Sequence, residues 1–351
     1  MSHWERLADL PLRIEGYELE RLSMDVSSGM TRVSTVVHLR GDGEEGVGED
    51  VTYETEDQEA QLARGADLPL AGEWTLASFC DHVERDLELW PTPPSREPSR
   101  NYRIWAYESA GLDLALRQAG TSLAAALGLE PRPLRFVVSL RLGEPPSAAP
   151  LQARLDLAPG LQFKLDPTVD WDEELVRAVA ATGAVESLDL KGQYKGSPVD
   201  VPVDRALYER LLAAFPGAWL EDPHTDPEVA DLVAAHRERV TWDAILHSLD
   251  DVRSLEHRPT AINVKPSRFG PLRELLAVYE HCAAQGIAMY SGGQFELGVG
   301  RQQIQHLAAL FHPDGPNDAA PGGWNATAPG PGLPTSPLPV TAASSSGFRG
   351  L

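Results

Sequence analysis

Only two cysteines, Cys80 and Cys282, occur among the 351 residues. Two are too few for a disulfide framework, and they lack the Cys-x-x-Cys spacing of zinc and redox motifs, so a reducing, cytoplasmic setting is expected. No run of lysine or arginine interrupts a formal charge of −22, set by 30 basic against 52 acidic residues. A phosphate backbone would be repelled on every approach, and nucleic acid is not an expected partner. No stretch reaches the ~18 apolar residues that a membrane-spanning helix needs. The start, Met1-Ser-His-Trp-Glu-Arg6, has no basic region leading into an apolar one. Neither secretion nor membrane insertion is therefore expected.

What is present is a globular composition with proline and glycine marking its boundaries. Hydrophobic residues make up 42% of the chain, enough for a large core, and the length suits two domains or a barrel with an appendage. Trp90-Pro-Thr-Pro-Pro-Ser-Arg-Glu-Pro98 holds neither a helix nor a central strand, because proline lacks the N–H and restrains its predecessor. Before it, residues 31–40 are β-branched and alternate loosely, Gly41-Asp-Gly43 supplies a turn, and residues 46–53 return as the second strand of a hairpin. Residues 74–90 and 102–120 carry helical spacing. The first 132 residues are thus predicted as an α+β domain. Eight prolines between Pro313 and Pro339, followed by a small, polar end, predict a C-terminal segment over 313–351 that is disordered from about residue 326.

Residues 133–312 read differently. Seven short apolar runs, at 134–140, 161–165, 187–190, 218–220, 239–242, 261–264 and 287–290, are separated by amphipathic helical stretches. Asp170 with Glu173 suggests a capping box, Asp226-Pro227 a helix start, and Gly183, Gly217 and Gly286 left-handed helix ends. Alternating strands and helices give right-handed βα units and a parallel sheet, either doubly wound or closed as a barrel. In a barrel, the residues at the C-terminal ends of the strands form the functional face. Polar residues stand there in series: Lys164, Asp189, Glu221, Asp243 and Lys265. A single such residue is usually a cap or a loop acceptor. Three carboxylates on neighbouring strands, however, are the oxygen donors that a hard cation such as Mg²⁺ prefers, and a lysine on either side provides candidate bases.

These residues resemble the enolase superfamily, in the muconate cycloisomerase branch that includes o-succinylbenzoate synthases and dipeptide epimerases. Phe163-Lys-Leu165 is similar to the second-strand lysine motif, and Leu188-Asp-Leu190, Leu220-Glu-Asp-Pro223 and Trp242-Asp243 to the three metal-ligand motifs. Ala261-Ile-Asn-Val-Lys-Pro-Ser-Arg-Phe-Gly270 is similar to the sixth-strand lysine motif. The similarity runs from Gly46-Val-Gly-Glu49 through Trp105-Ala-Tyr-Glu-Ser-Ala-Gly-Leu-Asp-Leu-Ala115 to Asn317-Asp318. It implies an α/β barrel of the (β/α)7β modified TIM type under an N-terminal α+β capping domain. It also implies Mg²⁺ on Asp189, Glu221 and Asp243, with Lys164 and Lys265 on opposite faces of a small-molecule carboxylate whose α-proton is removed to give an enolate.

Two bases allow racemisation, epimerisation or cycloisomerisation; one suffices for a dehydrating lyase of the o-succinylbenzoate synthase type. A third reading is a catalytically silent binding protein on the same scaffold. The loop beginning Ser291-Gly292-Gly293 is a candidate carboxylate receiver, and Met30 stands where related caps drop a loop over the barrel mouth. Two departures stand out. Gln162 replaces the first lysine of the usual Lys-x-Lys, and Lys191 stands where the family usually has Asn. On a continuing strand Lys191 would face the same way as Asp189 and compete with a cation, unless Asp166 neutralises it. A homo-oligomer is compatible with this reading.

Overall fold

The computed structural model describes residues 1–25, 31–197, 199–340 and 346–349; Met30, the candidate lid residue, lies outside them. The first part of the chain builds a cap. Strands β1 (Pro11–Ile14), β2 (Gly16–Asp25), β3 (Thr31–Gly41), β4 (Glu44–Asp50) and β5 (Gly72–Thr75) form an antiparallel β2-β3-β4 sheet and a β1-β5 pair. The β3-β4 hairpin turns at Asp42-Gly43, both with positive φ. The helix Ser99–Gln118 is buried over most of its length and packs on β4 and β3.

The second part is a parallel sheet of seven strands, hydrogen-bonded in chain order: β6 (Val138–Leu140), β7 (Phe163–Leu165), β8 (Val185–Asp189), β9 (Trp219–Glu221), β10 (Val240–Trp242), β11 (Ala261–Val264) and β12 (Ala288–Ser291). A helix follows each strand, which keeps every connection on the outside of the sheet. The place of an eighth strand is taken by Asn317-Asp318. Asp318 N donates to Ser291 O at 2.8 Å on the β12 side, and Val137 N donates to Asn317 O at 2.8 Å on the β6 side. The curled sheet is thereby bridged from last strand to first, giving a modified TIM barrel beneath an α+β cap.

Three local expectations shift. The helix Glu173–Ala180 is capped by Asp172, not Asp170, because residues 168–171 first turn to bury Trp171. Asp226-Pro227 opens a turn that buries Val229, and the helix begins only at Ala230; the Asp226 carboxylate is taken by Lys195 and His224. Gly183 and Gly286 have φ of 64° and 62°, whereas Gly217 is not left-handed.

The larger correction concerns the C-terminal segment, expected to be disordered from about residue 326. Leu338 exchanges backbone hydrogen bonds with Leu134, and Gly347 with Thr121 and Leu123. Phe348 is fully buried beside Trp105, and Arg349 pairs with Asp113 at 2.6 Å. The composition misleads because the segment needs no core of its own: it docks a few apolar side chains into clefts that the two larger parts leave open.

Candidate active site

Period-two alternation along the barrel strands sorts the mouth residues. Leu165, Leu188, Leu190 and Leu220 face the helices and belong to the apolar core. The alternate positions face the barrel axis: Lys164 and Asp166, Ser187 and Asp189, Glu221, Thr241 and Asp243, Asn263 and Lys265, Tyr290 and Gly292. Because the strands are neighbours in chain order, five of these line up across five adjacent strand ends as Lys164, Asp189, Glu221, Asp243 and Lys265. All five are buried.

Their charges are paired crosswise. The Lys164 ammonium donates to Glu221, lies 3.2 Å from Asp189 Oδ2 and is 3.9 Å from Asp318. Glu221 also accepts from Tyr290 OH at 2.6 Å, and Asn263 Nδ2 lies 3.4 Å away. Asp243 accepts from Lys265 Nζ at 2.7 Å, Arg268 Nη1 at 2.8 Å and Tyr194 OH at 3.1 Å. Asp222, at φ 46°, turns its carboxylate onto the backbone N–H groups of Asp243 and Ala244, at 2.9 and 2.8 Å.

Burial would raise Asp189 and Asp243, but Lys191 and Lys164 on the one and Arg268 and Lys265 on the other hold both well below the usual carboxylate range. Glu221 is pushed up to about 7 by burial, with Asp189 and Asp243 adding to it against Lys164. Asp222 is pushed up to about 8 by burial and by Asp243, Asp189 and Glu221. Burial works to lower Lys164 and Lys265, yet the carboxylates beside them hold both above the ordinary lysine value.

Lys191 does reach Asp189, but by a different route from the one the sequence suggests. Strand β8 ends at Asp189, and Lys191 lies beyond it at φ 55°, in a turn. From there its side chain folds back, with Nζ 2.5 Å from Asp189 Oδ2 and 3.6 Å from Asp166 Oδ2.

The loop after β12, the candidate carboxylate receiver, packs closely on its neighbours. Ser291 alternates with Tyr290 and Gly292, so its side chain faces away from the axis. A Cβ on Gly292 would lie 2.7 Å from Lys265 Cε, so glycine here lets the loop pack directly on that lysine. A Cβ on Gly293 would lie 2.2 Å from Glu296 Oε2, and Glu296 Oε1 accepts Gln294 N at 2.6 Å. The loop thus supplies its own carboxylate to one of its N–H groups.

The cap reaches the site through this loop. Gln294 lies between the hydroxyls of Tyr53 and Tyr102, at 3.0 and 3.1 Å. With its oxygen toward the guanidinium, Gln294 accepts from Arg268 Nε at 3.0 Å. Arg32 Nη2 donates to Gln294 O at 3.1 Å. Sequence reasoning missed Arg268, Tyr194, Asp222, Asn263, Tyr290 and Gln294 as site residues. Asn263 and Tyr290 were accessible to it, each two positions before an inward residue; Tyr194 and Gln294 lie on loops, where no period operates.

The donor set suits a divalent cation in its chemistry: three buried carboxylates on adjacent strand ends. Around them Asp166, Asp222 and Asp318 bring the acids to six, against the cations Lys164, Lys191, Lys265, Arg268 and, on Asp166 at 3.2 Å, Arg141. Asp166 Oδ1 is also buried without a hydrogen-bond partner. In the arrangement described, the spaces between the carboxylates are taken by ammonium groups, and among the described residues no three acidic, histidine or cysteine side chains converge as a ready metal cage.

A capped, modified TIM barrel is the fold of solved enolase-superfamily structures, among them a muconate cycloisomerase from Pseudomonas fluorescens on which this chain superposes with a TM-score of 0.65 at 19% identity, over 88% of this chain and 87% of that one. The chain belongs to the family described as a domain of unknown function (DUF8230), whose N-terminal domain matches residues 5–126 and C-terminal domain residues 130–326. It is 27% identical over 328 residues to an N-succinylamino acid racemase of Thermus thermophilus, covering 85% of this chain and 83% of that one. It is also 27% identical over 225 residues to an o-succinylbenzoate synthase of Geobacillus stearothermophilus, covering 61% of this chain and 58% of that protein's length. Among solved structures, a dipeptide epimerase from Methylococcus capsulatus complexed with Mg ion superposes with a TM-score of 0.62 at 21% identity, over 86% of each chain. Among the described residues no helix is long and apolar enough to cross a membrane.

Proposed function

We propose that the protein is a Mg²⁺-dependent isomerase that removes the α-proton of a small-molecule carboxylate to give an enolate. It acts as a racemase or epimerase that then reprotonates the same carbon, or as a cycloisomerase that couples the proton transfer to making or breaking a ring bond. The observation that carries this reading is the order Lys164, Asp189, Glu221, Asp243, Lys265 across five adjacent strand ends. It sets one amine on each side of a group of hard oxygen donors. Asp189, Glu221 and Asp243 are the residues that would hold the metal, which when bound supplies the positive charge that an enolate needs.

The chain's own groups have separable tasks. Lys164 and Lys265 approach the space above the carboxylates from opposite sides, so one can take a proton and the other deliver one. Arg268 and Tyr194 hold Asp243 in place, as Tyr290 and Asn263 do for Glu221. Tyr53 and Tyr102 of the cap hold Gln294 of the barrel loop over the mouth, which ties the cap to the site. The similarity to a racemase along most of both chains favours two-base chemistry on an N-acyl amino acid; the similarity to an o-succinylbenzoate synthase favours a dehydrating lyase, which needs one base.

The test is proton NMR in D₂O with Mg²⁺, using N-succinyl-L-amino acids, L,L-dipeptides and the cyclohexadiene precursor of o-succinylbenzoate. Loss of the α-proton signal with appearance of the opposite configuration is expected, and both Lys164→Ala and Lys265→Ala should abolish it. Formation of an unsaturated product from the precursor alone would select the lyase. Full turnover in the Lys265→Ala protein would overturn the mechanism, and no reaction anywhere in the panel would favour the silent binding protein.

A further inference from the structure

Asp189 carries more positive charge than a metal ligand needs. Lys164 and Lys191 both point at its Oδ2, at 3.2 and 2.5 Å. A divalent cation on that oxygen would bring three like charges together, so one ammonium must leave. Lys164 is held from the middle of β7, its side chain 4% exposed and its ammonium shared with Glu221 and Asp318. Lys191 is the freer of the two: it sits on a turn, its side chain is 14% exposed, and Tyr194 lies beside it with the ring centroid at 5.2 Å. A second carboxylate is already within reach. Asp166 Oδ2 is 3.6 Å from Lys191 Nζ and accepts from Arg141 Nε at 3.2 Å, while Oδ1 of the same group is buried with no partner and is the oxygen open to the ammonium.

We infer that Lys191 is a built-in competitor for the cation: its ammonium rests on Asp189 when no metal is bound and transfers to Asp166 when one is. This deepens the metal-dependent reading above and rests on it. The consequence is a site that loads only at higher free Mg²⁺ than its three carboxylates would otherwise require, with Asp166 setting how readily the ammonium gives way.

The inference is tested by calorimetric titration of Mg²⁺ into the full-length protein after chelator treatment, with circular dichroism checking the fold of each variant. Lys191→Asn should bind Mg²⁺ at least ~10-fold more tightly than the unaltered protein, a coupling of ordinary size between two ligands of one site. Asp166→Asn should bind it more weakly, and the double variant should return to the affinity of Lys191→Asn, since Arg141, the other partner of Asp166, contacts none of the three metal-site carboxylates. Equal, measurable affinity in the unaltered and Lys191→Asn proteins would overturn the inference and leave the metal site standing. No binding in either would overturn the metal reading and the inference with it. Should Asp166→Asn fail to fold, the Lys191→Asn comparison still decides.

Discussion

Replacement of Glu49 by alanine is expected to destabilise the protein by about 3–5 kcal/mol, because this cap residue completes a barrel helix. The helix Val299–Phe311 begins at Gly298 with no side-chain cap of its own. Its exposed N–H groups are instead met by Glu49 from β4: Leu297 N donates to Oε1 at 2.7 Å, and Gly298 N and Gly300 N to Oε2 at 3.0 and 2.9 Å. Ser34 Oγ donates to Oε1 at 2.7 Å. Glu49 and Ser34 are both buried. Glycine at 300 makes the approach feasible, since a Cβ there would lie 3.0 Å from Glu49 Oε2. Losing the two oxygens strands three donors, of which Gly300 N is buried and Leu297 N and Gly298 N partly so, at about 1–3 kcal/mol each before water partly relieves them. Glu49→Gln keeps one oxygen and should cost about 1–2 kcal/mol, and Ser34→Ala about 1 kcal/mol. Urea unfolding followed by circular dichroism gives the three values as midpoint shifts at constant slope. A Glu49→Ala protein within ~0.5 kcal/mol of the unaltered one, inside the range of an ordinary surface substitution, would refute the argument. So would equal losses for alanine and glutamine, which would assign the effect to charge rather than to hydrogen bonds.

Two further outcomes are expected. His312 is buried with Nδ1 2.8 Å from Asn317 Oδ1, and burial lowers it from 6.5 to about 4. A lowered folded value means the neutral ring contributes stability that is fully present above pH ~6.5 and is lost as pH falls toward 4, about 3 kcal/mol in all. Urea midpoints at pH 7.5 and 4.5 should therefore differ less in His312→Phe than in the unaltered protein, and identical differences would contradict the assignment. Phe348→Ala removes a fully buried ring that stacks edge-on with Trp105 at 6.4 Å and His306 at 6.2 Å. It should lower stability by about 3–5 kcal/mol, read as a fall in Tm; an unchanged Tm would mean that the tail does not dock in solution.

The barrel was legible because its signals are periodic and local. Each strand is a short apolar run ending in a polar residue, and the inward positions repeat every second residue, so Lys164, Asp189, Glu221, Asp243 and Lys265 could be read from strand ends alone. What stayed hidden depends on contacts distant in sequence. Glu49 meets Leu297, Gly298 and Gly300 across some 250 residues, and nothing near either end reports the other. Nothing in the run Gly298-Val-Gly300 announces that its glycine at 300 makes room for that carboxylate. Lys191 was placed beside Asp189 on the assumption that β8 continues. The strand stops, and a left-handed turn brings the ammonium to the same place. The C-terminal segment shows the opposite failure: composition registers the absence of a self-sufficient core but is blind to clefts elsewhere that accept Leu338 and Phe348.

The charge arrangement ties the site to the rest of the molecule. Six acidic groups facing five cations, Arg141 on Asp166 among them, cannot all be ionised and fully paired. Glu221 and Asp222, displaced to about 7 and 8, are where the surplus falls, each lying between carboxylates that have stronger partners of their own. Structural ion-pair networks in folded proteins tend toward balance, since surplus buried charge lowers stability without return. The surplus lies at the end of parallel strands, under a cap anchored by Glu49 and Arg32, where the proposed cation would supply positive charge. Lys191 narrows that surplus without closing it. In the inference above it acts on the affinity for the proposed cation, and its presence alone does not turn the barrel mouth into a purely structural salt-bridge network.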